Sequence, residues 1–89
     1  MAVVTVTLRF FAASRAATGL DELECVAEHE PTLGELIAGL APARGTDPDE
    51  LMGVLDRCSF LVDGISTRDR SQVVSHGAVV DVMPPFAGG

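Results

Sequence analysis

The groups with chemistry to offer are few: two cysteines, two histidines, scattered carboxylates and a C-terminal glycine pair. The chain ends Val82-Met83-Pro84-Pro85-Phe86-Ala87-Gly88-Gly89. A carboxylate on Gly89 preceded by Gly88 has no Cβ beside it, so this terminus can enter a channel too narrow for any other residue. Such a carboxylate is inert until activated. Activation requires an enzyme to hold it against the α-phosphate of ATP, which only a protruding, side-chain-poor terminus reaches, and the resulting acyl-adenylate is open to a sulfur nucleophile. The bland alternative is a domain that ends in small residues and frays. What favours chemistry is the combination of a strand, a proline pair that stops it, one apolar residue, and Ala-Gly-Gly.

The other candidates are weaker. Cys25 and Cys58 lack the paired spacing of a zinc site or a redox dithiol and read as small buried apolar residues. His29 and His76 fall in expected loops and read as ordinary surface or turn residues, with no nucleophile–base constellation around them. The carboxylates lie on expected strand and helix exteriors, as a solvated face that could include a docking patch. No metal site and no tightly bound cofactor are expected.

The 89 residues make one domain. A chain of this size buries about 60 to 65% of the surface it exposes unfolded, leaving little room for an internal active site. Hydrophobic residues are 47% of the chain and phenylalanine is the only aromatic, which suits an aliphatic core and not a platform for stacking bases. Thirteen acids against six arginines and no lysine give a net charge of −7. No basic stripe exists to displace phosphate counterions, so nucleic acid is not the expected partner, and a basic protein surface is. The apolar run from Val3 to Phe11 has no basic leader and is too short to cross a bilayer. The expectation is a soluble protein of the reducing cytoplasm.

Along the chain, Val4, Val6, Leu8 and Phe10 alternate with Thr5, Thr7 and Arg9, predicting a half-buried strand over 3–11. Ala12 to Gly19 is an alanine-rich turn or short helix that the glycine ends. Glu22 to Ala27 predicts a second strand, antiparallel to the first, with Leu23, Cys25 and Ala27 inward. Thr32-Leu33-Gly34-Glu35 is a capping box, and Leu33, Leu36, Ile37 and Leu40 follow at helical spacing. Gly34 and Gly39 each cost this helix up to about 1 kcal/mol of propensity. After a loop, Asp47 and Pro48 open a second, shorter helix with Leu51, Val54 and Leu55 as its buried side. Cys58 to Val62 predicts a strand, Asp63-Gly64 a hairpin turn needing positive φ, His76-Gly77 a second turn, and Ala78 to Met83 a last strand. Pro84 and Pro85 cannot donate ladder hydrogen bonds, so pairing stops there and 84–89 projects as a tail beyond a domain of 1–83. The order strand, strand, helix, short helix, strand, strand describes an α+β roll, a mixed sheet with a helix packed across one face. The tail would leave from mid-sheet if the first and last strands lie adjacent at its centre.

The stretches VTVTLRFFAASRAATG, PTLGELIAGL, FLVDGIST and above all HGAVVDVMPPFAGG resemble the small sulfur carriers of the MoaD/ThiS family, most closely the small subunit of molybdopterin synthase. The resemblance covers nearly the whole chain. It implies a β-grasp, ubiquitin-like fold with a flexible Gly-Gly tail. It also implies that an E1-like adenylyltransferase/sulfurtransferase uses ATP to adenylate Gly89 and a sulfur donor then converts it to a thiocarboxylate. The tail would insert into the large subunit of molybdopterin synthase, in an expected heterotetramer, and deliver sulfur to cyclic pyranopterin monophosphate for the molybdenum cofactor. In that picture the chain is not catalytic alone, the catalytic residues lie on the large subunit, Gly88 permits passage, and Pro84, Pro85, Phe86 and Ala87 position the tail on the partner. Two departures bear on partner fit: His76 stands where the family often has an acid, and Phe86 where a small aliphatic residue is common. The alternatives share Gly89: a carrier for thiamine, cysteine or another thio-metabolite, or a ubiquitin-like modifier whose lack of lysine rules out lysine-linked self-chains. An interaction module with an accidental glycine end is the third class.

Overall fold

Residues 3–84 are described by a computed structural model. The opening alternation forms β1 (Val4–Phe10), with Val6, Leu8 and Phe10 buried and Arg9 exposed. Ala13–Thr18 is α1, so the turn-or-helix alternative resolves to helix, and Gly19 ends it at φ 73°, a left-handed conformation that costs glycine little. β2 (Glu22–Ala27) pairs antiparallel with β1 from Val4↔Ala27 to Arg9↔Glu22.

The capping box forms as expected. The Glu35 N–H donates to the Thr32 hydroxyl at 3.1 Å and the Thr32 N–H donates to the Glu35 carboxylate at 2.9 Å, opening α2 (Leu33–Ala38). Two expectations need correcting here. Gly39 is the C-cap and not a helical residue, so it carries no helix-interior cost. The helix opened by Asp47 and Pro48, α3 (Pro48–Arg57), is the longer of the two, ten residues against six. Leu40 lies past the end of α2, so the apolar periodicity overran the helix into the loop that follows.

Cys58 caps α3, and β3 is Ser59–Val62. At the turn, Asp63 and Gly64 both take positive φ, 49° and 84°, and return the chain into β4 (Ile65–Thr67). β4 was not expected as an element, because three residues with only one apolar member give no alternation to read. The last strand, β5 (Val79–Met83), completes a sheet in the order β2-β1-β5-β3-β4. β5 is parallel to β1 and antiparallel to β3, which puts the first and last strands together at the centre. One hydrophobic cluster joins Val6, Leu8 and Phe10 to Val80 and Val82 of β5, Leu33, Leu36 and Ile37 of α2, and Leu51 and Leu55 of α3. The helices therefore cover one face of a mixed sheet, as expected.

Candidate functional site: the root of the terminal segment

The expected reactive group, Gly89, and with it Pro85, Phe86, Ala87 and Gly88, lie outside the described residues. Of the expected tail, only Pro84 is described. What the structure places is the strand from which that segment continues, and the groups that hold it.

β5 is clamped on both sides, by Thr7↔Val79 to Phe10↔Val82 with β1 and by Ser59↔Met83 to Val62↔Val80 with β3. A central strand has both rows of backbone groups paired, so it resists fraying more than an edge strand does. Its side chains add three ties. On the outer face Arg9 makes a bidentate pair with Asp81, Nε to Oδ1 at 2.6 Å and a terminal nitrogen to Oδ2 at 3.0 Å. The hydrogen bond and the charge of Asp81 push the Arg9 guanidinium further up from its usual range. Its Cζ also stands 5.9 Å from the Phe11 ring centroid. On the buried side the Ser14 hydroxyl, 1% exposed, accepts from the Phe11 N–H at 3.0 Å. The same oxygen lies 2.9 Å from the Phe11 carbonyl and 3.0 Å from the Val82 carbonyl, between which its proton is shared. Ser14 thus ties α1 to β5 two residues before Pro84. At the start of β5, the Asp63 carboxylate accepts from the Val79 N–H at 2.9 Å.

His76 is exposed, as expected of a turn residue, but its Nδ1 accepts from the Thr5 N–H at 3.0 Å while the Gly77 N–H donates to the Thr5 carbonyl at 2.8 Å. Those two bonds extend the β1–β5 edge beyond the ladder and set where β5 begins. Beside the other end of β5, Ala13, Val54, Arg57, Cys58 and Pro84 line an open concavity of about 250 Å³. It is an apolar recess with one cation at its rim, at the point where the chain passes Pro84.

The thiols are not poised for chemistry. Cys58 is buried and Cys25 half-buried, and burial pushes both thiols up from their ordinary value; for Cys58, Arg57 and Arg70 pull the other way without prevailing. His29 is exposed. Arg70 pairs with Asp56 at 3.2 Å and donates to the Leu55 carbonyl, so it serves the fold locally. Among the described residues no His, Cys, Asp and Glu cluster could hold a metal ion, and no helix is long and apolar enough to cross a membrane.

Ser14, Asp63 and His76 were not singled out in the sequence as supports of this strand. A serine in an alanine-rich helix and a histidine before a glycine carry no pattern that names a partner 68 or 71 residues away. Only Asp63 had a signal, as the first residue of the expected turn.

The family model described as ThiS family matches residues 8–89. No curated protein matches the chain. Among solved structures, the Haloferax volcanii protein HVO 2177 is similar at 26% identity and a TM-score of 0.70, over 98% of this chain and 88% of that one. The Haloferax volcanii small archaeal modifier protein 1 matches at 17% identity and a TM-score of 0.71, over 93% and 99%. A Helicobacter pylori complex of subunits 1 and 2 of molybdopterin-converting factor matches at 21% identity and a TM-score of 0.63, over 97% and 100%. The last two likenesses carry the fold alone: the sheet and helices described above form the β-grasp of ubiquitin-like proteins.

Proposed function

This chain belongs to the ThiS family of ubiquitin-like sulfur carriers, and from that membership we propose that Gly89 is its reactive group, in the small subunit of a molybdopterin synthase. The Gly89 carboxylate attacks the α-phosphorus of ATP on an E1-like adenylyltransferase, expelling pyrophosphate. A hydrosulfide-level sulfur donor then adds to the acyl carbon, AMP leaves, and a thiocarboxylate remains. The segment 84–89 enters the large subunit, where Pro84, Pro85, Phe86 and Ala87 position it and Gly88 lets it pass. There it gives sulfur to cyclic pyranopterin monophosphate. Catalytic groups for that step reside on the large subunit, and the setting is the reducing cytoplasm.

The observation that carries this reading is the placement of β5. The strand that leads to Gly89 is the central one, paired on both sides and tied by Arg9 and Ser14, and its last residue is followed by Pro84. A carrier must present its terminus from a fixed base, since a well-defined exit limits the orientations that the partner must select. Burial, which pushes both thiols up from their ordinary value, is consistent with the same assignment. The choice of molybdopterin synthase over another thio-metabolite rests on the Pro84-Pro85 pair.

Deleting Gly89 tests the role of the terminus: sulfur transfer in a reconstituted system is abolished while thermal stability stays nearly unchanged. Retained transfer, or a large loss of stability, contradicts the proposal. The pathway is tested by the large protein that co-purifies with the chain. A ubiquitin-like fold ending in Gly88-Gly89 also fits a second reading, in which Gly89 forms isopeptide bonds to lysines of other proteins. Covalent adducts on target lysines, in place of a thiocarboxylate, would select it.

A further inference from the structure

The sheet has a second feature, independent of the tail and of the sulfur-carrier reading. β2 is an edge strand bonded only to β1, and its six residues present roughly 20 Å of backbone N–H and C=O groups on the open side. Edges of this kind are blunted by charged side chains, lysine above all, by proline or by a bulge. β2 carries only the acids Glu22 and Glu24: its register with β1 runs unbroken from Val4↔Ala27 to Arg9↔Glu22, and residues 22–27 include no lysine or proline. The opposite edge, β4, is three residues long and offers little to pair with.

Alongside β2, between it and α2, runs a mainly apolar groove of about 270 Å³ whose lining includes Leu23, Cys25, Pro31, Leu36 and Leu40 together with the carboxylate residue Glu35. Val26 is 63% exposed on the other face of the strand. The surroundings are of one sign. From Asp21 to Glu35 the chain has six carboxylates and neither arginine nor lysine, and Glu22, Glu24, Glu28, Glu30 and Glu35 are all exposed. Two cations lie near the Glu22 end, and each has another acid: Arg9 is held by Asp81 and Arg15 by Asp21. His29 lies in the turn beyond the Ala27 end.

We propose that this edge and groove take up an extended segment of a partner protein as a sixth strand, a segment apolar on one face and rich in arginine or lysine on the other. The period-two alternation of a strand fits both halves of the surface at once. Apolar side chains of the incoming strand meet Leu23, Cys25, Leu36 and Leu40, while its cations lie on the face of Glu22 and Glu24. The same charges disfavour a second copy of this chain, because edge-to-edge pairing would bring two acidic rows together. β1 separates β2 from β5, so the site can be filled while the end of β5 remains open.

The probe is a capped peptide of alternating valine and arginine, matched in length to β2, titrated into the full chain with amide shifts read by NMR. A peptide of the same composition, with its valines and arginines in separate blocks, is the control. The alternating peptide shifts amides along Glu22–Ala27 and in α2, slows alkylation of Cys25 relative to buried Cys58, and binds about tenfold more weakly to the Glu22→Arg/Glu24→Arg variant. A chain lacking Gly89 binds it equally well, which separates this site from the sulfur chemistry. Equal binding of the block peptide, or shifts confined to other surfaces, overturns the proposal. So does a β2 self-association that grows with protein concentration in the absence of peptide, which would give the edge to a second copy.

Discussion

Single side chains hold the root of the terminal segment, and each has a measurable weight. Ser14 is buried and its oxygen serves the Phe11 N–H and two carbonyls. Ser14→Ala takes the acceptor from the Phe11 N–H and a donor from the Val82 carbonyl, while the Phe11 carbonyl keeps the residue-14 N–H at 3.2 Å, so chemical denaturation should show a loss of about 1–3 kcal/mol; a neutral result would mean that water replaces the hydroxyl. Gly34, in α2, is a second residue whose weight can be measured. A Cβ there would stand 3.1 Å from the Arg70 carbonyl oxygen, to which the Gly34 N–H itself donates at 2.8 Å, while the neighbouring Leu33 N–H donates to Gln72 at 2.9 Å. That backbone is pinned and cannot easily retreat. Gly34→Ala therefore lowers the urea midpoint even though alanine gains about 1 kcal/mol of helix propensity; a raised midpoint would show that the loop can yield. In the sequence Gly34 reads as a helix weakened by glycine. Its close approach to residue 70 is set by tertiary packing, which no local pattern reports.

Elements were legible where a local signal existed. The capping box, the Asp47-Pro48 start, the Asp63-Gly64 turn and the alternation of β1 each fixed an element to within a residue or so. Extent was less legible. α2 stops at Ala38 although Leu40 keeps the apolar period, and β4 has too few residues to show one. The central pairing of β1 with β5, on which the candidate site depends, was a condition in the sequence and is a finding in the structure. The capping box also makes a pH prediction. The Thr32 backbone N–H, then its hydroxyl, hold the Glu35 carboxyl below its ordinary range. The folded chain therefore binds fewer protons at Glu35 than the unfolded chain, so this stability is complete above the ordinary carboxylate range and is lost as pH falls through the lowered folded value. Glu35→Gln keeps an acceptor at the cap and removes the titration. Its denaturation midpoint should fall less steeply with acid than that of the parent, and parallel curves would show that the carboxyl is uncoupled from folding.

At the scale of the whole molecule, the fold is a small β-grasp whose interior is aliphatic apart from Phe10 and Phe60 and whose surface is acidic. Among the described residues neither forms an enclosed catalytic centre. A net charge of −7 makes association with a basic partner steered by long-range attraction, so its on-rate should fall as salt is raised while its off-rate changes less; surface plasmon resonance with the co-purified large protein measures both. The central claim is that Gly89 carries sulfur. Intact-mass measurement of the chain after incubation with its activating enzyme, ATP and a sulfide source tests this most directly. The expected result is one oxygen replaced by sulfur, located to the C-terminal glycine by fragmentation; an unchanged mass in a system otherwise competent for sulfur transfer would contradict the proposed role of Gly89.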